Sequence, residues 1–318
     1  MAKNAFLPLP WQKPQWQTFN ERIKDQRLPH AIMLNAVEGV GAERLAMAMA
    51  FRLLCNQPQE GFGCGQCKGC ITLSAGSHPD FYSLAPEDDK KIISVAQVRA
   101  LCTSLSKTAQ QGGWKVVVIQ PCESMNVAAS NALLKSLEEP ESNTLLILVA
   151  RRLSLVPVTI RSRCQIESLP IPPTQLAKDW LSKYSGESQF NISQVLDVAN
   201  GCPLLALDYM QGSGLESRQR VEALLDAVRR FEETPLAAAQ ACQKFTPEEL
   251  ISWILSYVHR LMVGELQNNQ NQALFHFLDK LITARSWLLS SSTINTQLLW
   301  EELFIEWSQV FQVRRKSI

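Results

Sequence analysis

The stretch AIMLNAVEGVGAERLAMAMAFRLL, residues 31 to 54, decides the fold of this chain. It contains a short apolar run that predicts a β-strand, a turn with Gly39 and Gly41, and a long segment rich in helix-forming residues. This is the outline of a phosphate-binding loop between a strand and a helix. Short apolar runs alternate with helical patterns as far as residue 167, which predicts an α/β domain with a parallel sheet.

The residues that bind phosphate in such a loop are missing. A working loop reads GxxxxGK[ST], because backbone N–H groups and a lysine hold the phosphates while a hydroxyl holds Mg²⁺. With Gly41 as the second glycine, Ala36 takes the place of the first, Ala42 that of the lysine and Glu43 that of the hydroxyl. A carboxylate at this position would repel a phosphate. The sequence therefore predicts that this loop binds no ATP.

The position that would hold magnesium is also changed. After the apolar run KVVVIQ, residues 115 to 120, a nucleotide hydrolase would carry an acidic pair. This chain has Gln120 and Pro121 instead. The next acid, Glu123, is interpreted as a carboxylate at the N-terminal end of the following helix. Hydrolysis of ATP by this chain alone is not expected.

Length and composition limit the possible classes of protein. A chain of 318 residues predicts two or three domains, and 46% apolar with 19% charged residues is ordinary for a globular protein. A net charge of +1 gives no strong field, so contact with nucleic acid is expected to be local or to come through an assembly. We see neither a membrane span nor the apolar core of a secretory signal, and expect a cytoplasmic protein without a membrane partner.

Four of the nine cysteines indicate a metal centre. They follow the spacing C-x8-C-x2-C-x2-C in residues 55 to 70, with glycines at 63, 65 and 69 that permit tight turns. Four thiolates form a closed tetrahedral shell for a structural Zn²⁺. An iron–sulfur centre, a redox pair and free thiols are the alternatives. The predicted ligands are Cys55, Cys64, Cys67 and Cys70.

The segment TIRSRCQ, residues 159 to 165, carries two arginines at the expected edge of the α/β domain. Arg161 and Arg163 can be surface residues or members of local ion pairs. Alternatively, one of them is an arginine finger for a nucleotide bound by a neighbouring subunit, where it would meet negative charge that develops in the transition state. The residues alone leave both interpretations open.

Beyond the prolines of PIPP, residues 170 to 173, only helical patterns follow, from about 174 to 208 and from about 215 to 318. In the segment at 245 to 262, Thr246 can cap a helix whose first residue is Pro247. Apolar residues then recur at helical spacing, which predicts a stripe that faces a core.

The loop LPHAIMLNAVEGVG (28 to 41), the cysteine segment, SNALLKSLEEP (130 to 140) and VTIRSRCQ (158 to 165) together resemble the clamp-loader subunits of bacterial DNA polymerase III, which are AAA+ proteins. The resemblance runs in order across residues 28 to 167 and is weak thereafter. It implies a RecA-like AAA+ parallel-sheet domain with the zinc-binding insertion, a small helical lid domain and a C-terminal helical collar for oligomerisation. The corresponding ranges are 1–167 with the insertion at 55–70, 168–208 and 209–318.

The resemblance also implies a role. Arg163 matches the family's trans-acting arginine and the four cysteines match its zinc ligands, whereas the sensor threonine is replaced by Ala150 or Arg151 and the sensor arginine of the lid by Leu204. Such a chain would be a non-hydrolysing stator in a hetero-pentameric ring with ATP-binding subunits and the delta subunit. Sliding clamp and primer-template DNA would be reached through the complex.

Two other functions fit parts of the sequence. The chain could be an ATP-binding loader subunit with a divergent loop, which nucleotide binding by the isolated chain would support. It could also be a zinc-dependent nucleic-acid-binding module, although residues 55 to 70 contain one lysine, Lys68, and one aromatic residue, Phe62. With the stator function, the chain has no ATPase or polymerase activity of its own and contributes to a DNA-directed DNA polymerase holoenzyme.

Overall fold

The computed structural model describes residues 7–87, 90–111, 113–184, 191–212, 214–264, 271–289 and 294–312. These residues form two compact units. The first contains the described residues up to 184 together with Gly201–Ala206, and the second contains those from 191 to Asn200 and from Leu207 onward. The three-domain division with boundaries after residues 167 and 208 stays a prediction.

A five-stranded parallel sheet forms the centre of the first unit, with the strand order β2-β3-β4-β1-β5. Parallel strands that are covered on both faces consist of continuous apolar runs, and β3 and β4 are buried along their whole length. The predicted α/β domain with a parallel sheet is thereby confirmed. The strands are β1 Ala31–Asn35, β2 Phe81–Leu84, β3 Lys115–Ile119, β4 Thr144–Ala150 and β5 Gln165–Ser168.

Seven α-helices accompany the sheet in the described part of the first unit. Ser94 caps α4 (Val95–Leu105), since its side chain accepts a hydrogen bond from the backbone N–H of Gln97. The helices are α1 Lys13–Lys24, α2 Ala42–Leu54, α3 Lys68–Ser74, α4 Val95–Leu105, α5 Val127–Glu138, α6 Val158–Arg161 and α7 Thr174–Leu181.

Helices α4 and α5 pack against the sheet through a shared apolar core. Val98 of α4 and Leu133 of α5 are fully buried with residues of β3 and β4 in one apolar core. Because all strands are parallel, the carboxyl ends of β1, β3 and β4 lie at the same edge of the sheet. The segments that follow these three strands are therefore neighbours.

The second unit is helical, as predicted. Its core is rich in aromatic residues, with Trp300, Phe304 and Trp307 almost fully buried, and the apolar stripe predicted for the segment at 245 to 262 is buried or half-buried there. Among the described residues, no helix is both long enough and apolar enough to cross a membrane. The remaining helices are α8 Ile192–Val198, α9 Pro203–Gln211, whose residues up to Ala206 belong to the first unit, α10 Gly214–Arg229, α11 Pro235–Cys242, α12 Pro247–Gly264, α13 Asn271–Leu289 and α14 Thr296–Gln312.

Candidate functional site

The loop between β1 and α2 has a backbone conformation that requires glycine. Gly39 and Gly41 have φ angles of +85° and +89°, and Gly41 forms the N-cap of α2 in the left-handed conformation. There is no space for a side chain at Gly41, because an added Cβ would lie 2.5 Å from Cδ1 of Leu9 and 3.0 Å from Cδ1 of Leu204. Apolar side chains thus pack directly against this turn.

Hydrogen bonds from outside the loop hold its carbonyl groups. The indole Nε1 of Trp11 donates to the carbonyl of Val40 at 2.9 Å, and Nε2 of Gln12 donates to that of Gly41 at 2.7 Å. The backbone N–H of Leu204 donates to the carbonyl of Gly39 at 3.0 Å. Trp11 and Gln12 are buried. Sequence reasoning missed both residues, since contacts with residues 29 positions away leave no local pattern.

Two acidic side chains of the loop segment share one arginine. Arg151 binds both of them, with Nη1 2.9 Å from Oε1 of Glu38 and Nη2 3.5 Å from Oε1 of Glu43. Two carboxylates and no lysine thus lie at the turn of this loop. The three side chains are 38 to 66% exposed, so each ion pair contributes only about 0–1 kcal/mol to stability.

Ala150 and Arg151, the two candidate positions for the missing sensor threonine, differ in their surroundings. Ala150 is the last residue of β4, is fully buried and pairs with Asn35 of β1. Arg151 follows the strand and turns to the loop acids. Neither side chain carries the hydroxyl of a threonine.

Glu123 does not lie at the N-terminus of the following helix, so that prediction is wrong. It belongs to a 3₁₀ turn, Cys122–Ser124, and α5 begins only at Val127, capped by Asn126. One carboxylate oxygen of Glu123 accepts hydrogen bonds from the backbone N–H groups of Arg151 and Arg152, both at 3.1 Å. The carboxylate therefore satisfies the backbone beyond β4.

Arg163 lies just after α6 on a half-exposed surface and is held by three neighbours. Its Nη2 lies 2.5 Å and its Nε 2.8 Å from Oε1 of Glu138, the last residue of α5. Its Nη1 donates to the carbonyl of Thr159 at 3.0 Å and to Oγ of Ser162 at 3.3 Å. The local ion pair considered for this segment is thus present. Arg161 ends α6, and its Nε is buried with no hydrogen-bond partner among the described residues.

The four predicted cysteine ligands come together. Their Sγ atoms all lie within 4.8 Å of one another, and those of Cys55 and Cys67 are 3.8 Å apart. A tetrahedral shell with Zn–S bonds of ~2.3 Å has sulfur atoms about 3.8 Å apart, so the cluster can hold a metal ion. The cysteines are Cys55, Cys64, Cys67 and Cys70.

Backbone N–H groups support negative charge on these sulfurs. The N–H groups of Cys70 and Asn56 donate to Sγ of Cys67, both at 3.4 Å, and that of Cys64 donates to Sγ of Cys55 at 3.2 Å. Burial opposes ionisation, but the N–H groups of Cys70 and Asn56 lower the pKa of Cys67 to about 6. Burial raises the pKa of Cys55 and Cys70. The thiol of Cys67 therefore ionises more readily than an ordinary cysteine thiol.

The glycines around this cluster act in two ways, of which the sequence predicted one. Gly65 has a φ of +72° and forms a tight turn. Gly63 and Gly69 instead allow close approach to α2, because an added Cβ would lie 2.8 Å from the carbonyl oxygen of Phe51 or 2.2 Å from that of Leu54.

Phe62 stacks on Trp16 with ring centroids 5.4 Å apart, so the only aromatic ring of residues 55 to 70 already has a partner within the chain.

Comparison with known proteins shows similarity to subunits of DNA polymerase III along most of the chain. The family model described as DNA polymerase III, delta subunit, matches residues 11–173. A protein of Pseudomonas aeruginosa named DNA polymerase III subunit delta' is 32% identical, with 95% of this chain and 97% of the relative covered. The protein of the same name from Haemophilus influenzae is 35% identical, with 81% of this chain and 78% of the relative covered. The one from Escherichia coli is 38% identical, with 66% of this chain and 63% of the relative covered.

The fold also has a counterpart among solved structures. A gamma subunit-related protein of DNA polymerase III from Thermotoga maritima superposes with a TM-score of 0.57, and 94% of this chain and 100% of that chain are covered. Because the two sequences are only 16% identical, this likeness concerns the fold alone.

Proposed function

The chain belongs to the family of DNA polymerase III delta' subunits, with an α/β AAA+ fold and a helical region, and we propose that it is the non-hydrolysing stator of a sliding-clamp loader. The main support for this proposal is the loop between β1 and α2 of this chain, where a nucleotide would bind. The loop lacks the phosphate lysine and the metal-binding hydroxyl, its turn is packed by Leu9 and Leu204, and Glu38 and Glu43 surround it. A chain that cannot use its own site can still complete that of a neighbour.

We expect the isolated chain to show no saturable ATP binding at millimolar concentrations, because phosphate meets carboxylates at this loop and no lysine. Isothermal titration with MgATP measures this, with an ATP-binding loader subunit as the positive control. Binding of about one ATP per chain would instead support the alternative of an ATP-binding subunit with a divergent loop.

In the proposed function, Arg163 serves as an arginine finger for ATP bound by the adjoining subunit. Its side chain is 35% exposed, and the ion pair that its guanidinium makes with Glu138 lies at the surface, where another anion can replace the carboxylate. The test is single-turnover ATP hydrolysis by a loader reconstituted with the intact chain or with Arg163→Ala.

The remaining assignments follow from this role. The partners are ATP-binding loader subunits and the delta subunit in a hetero-pentameric ring, and the complex brings the chain to the sliding clamp and to primer-template DNA in the cytoplasm. The chain has neither ATPase nor polymerase activity of its own, and contributes to a DNA-directed DNA polymerase holoenzyme in DNA replication.

We propose that the helices of the second unit form the lasting contacts of the ring. Phe275 and Ile282 are 49 and 53% exposed and lie seven residues apart, which places them on one face of α13. Leu298 and Ile305 repeat this spacing on α14, where they are 61 and 39% exposed. Exposed apolar rows of this kind suit helix–helix contact with another subunit.

Replacing both Phe275 and Ile282 by aspartate is expected to weaken incorporation of this chain into the ring by at least about tenfold, since two charges would have to be buried in a contact. Analytical ultracentrifugation with the other subunits measures the change. Ile71→Asp, which alters an exposed apolar residue of α3, is the control. Normal assembly of the double variant would exclude this face as a ring contact.

We propose Zn²⁺ as the metal of the cysteine cluster. A shell of four thiolates leaves no open position for a substrate, so a zinc ion there would stabilise residues 55 to 70 and take no part in catalysis. The support for zinc is the donor set and the spacing of the sulfur atoms.

A further inference from the structure

The ion pair of Arg163 engages the side of its guanidinium that is suited to phosphate. Nε and Nη2 form the edge on which arginine binds carboxylates and phosphates with two parallel hydrogen bonds. Both atoms bind Oε1 of Glu138, at 2.8 and 2.5 Å. Nη1 is held separately by Thr159 and Ser162 of the α6 segment. A phosphate that approaches this edge must therefore displace Glu138.

Glu138 is held in place by a helix that is anchored in the core. It is the last residue of α5, whose Leu133 and Leu137 are buried in the core of the first unit. A carboxylate at the C-terminal end of a helix is unfavourable to the helix dipole, so the helix itself gains nothing from it. The contact that offsets this cost is the one with Arg163.

We propose that Glu138 is a positioning residue that holds Arg163 in place at the surface and releases it to the phosphate of a neighbour's ATP. This inference rests on the proposed trans-acting function of Arg163. Exchange is easy, because the pair is 35 and 49% exposed and surface ion pairs are weak. Thr159 and Ser162 keep Nη1 in place while the partner of the opposite edge changes. The carboxylate thus serves as a substitute for phosphate until ATP is present.

The test measures single-turnover hydrolysis by the reconstituted loader as a function of ATP concentration. We expect Glu138→Ala to lower the maximal rate by about tenfold, because Arg163 is no longer held in position. Glu138→Gln keeps an oxygen at the same place without the competing charge. It should keep the maximal rate within about twofold and lower the half-saturating ATP concentration by up to about fivefold, the ratio that corresponds to ~1 kcal/mol.

Two controls connect the effect to Arg163. Glu139→Gln removes the same charge from the adjacent exposed residue, which makes no ion pair within the described part of the chain, and should change neither quantity. In chains that already carry Arg163→Ala, Glu138→Ala should cause no further loss of rate, since a residue that acts through Arg163 has no effect without it.

The outcomes separate this inference from the proposed function. If Arg163→Ala slows hydrolysis but both Glu138 variants behave like the intact chain, the role of Glu138 is overturned and the arginine finger stands. An equal effect of Glu138→Ala with and without Arg163 also overturns it. If Arg163→Ala leaves hydrolysis unchanged in an intact ring, both proposals are wrong.

Discussion

Replacement of Arg163 by alanine is expected to slow single-turnover ATP hydrolysis at the adjoining site of the assembled loader by at least about tenfold. An arginine finger meets negative charge that develops in the transition state, and such residues contribute ~10³–10⁵ in rate where they have been measured. Arg163→Lys should also be slow, because an ammonium group cannot reproduce the two parallel bonds of a guanidinium. The measurement is hydrolysis of a limiting amount of labelled ATP by the purified ring.

The Arg163→Ala variant should fold normally, which makes its rate informative. The side chain is 35% exposed and its ion pair with Glu138 contributes only about 0–1 kcal/mol. Arg99→Ala, which removes the same charge from the exposed face of α4, is the matched control. If Arg163→Ala enters the ring and hydrolysis is unchanged, this arginine serves only the local ion pair with Glu138.

The parts of the fold that were predictable are those with a local pattern. The runs in β3 and β4 are continuously apolar because both faces of a parallel sheet are covered, and they could be located from the sequence. The glycines of the loop at 36 to 41 and the cysteine spacing also depend on near neighbours. Such features are fixed by backbone geometry and ligand chemistry, which a sequence records directly.

The contacts of the candidate site were less predictable. Arg151 is 108 residues from its partner Glu43, and Arg163 is 25 residues from Glu138. Nothing in the periodicity of the chain relates these positions, because the sheet order brings them together. Glu123 was misplaced for a similar reason: its partners are backbone N–H groups beyond β4, whereas local reasoning can consider only the helix that follows. Ion pairs between distant segments therefore require the folded structure.

Removal of the metal is expected to destabilise the first unit more than any single contact within it. A structural zinc contributes ~10–16 kcal/mol to the folding of zinc-finger peptides, whereas this unit also has the core of its sheet. We therefore expect a smaller loss, of about 3 kcal/mol or more, which corresponds to roughly 6–12 °C in melting temperature for a unit of this size. Elemental analysis should find about one zinc per chain, and calorimetry before and after chelation measures the shift.

Cys67→Ser should reproduce the effect of chelation, because a serine hydroxyl is a poor zinc ligand at neutral pH and three thiolates leave the shell open. Cys67 is the best choice, since its sulfur accepts backbone hydrogen bonds from both Asn56 and Cys70 and so lies between two segments of the centre. Cys102→Ser is the control, as Cys102 is half-buried outside the cluster and donates to the carbonyl of Ala132. This control should retain zinc and melt within about 2 °C of the intact chain. A metal-free intact chain that is as stable as the zinc-bound one would show that the four cysteines act through packing alone.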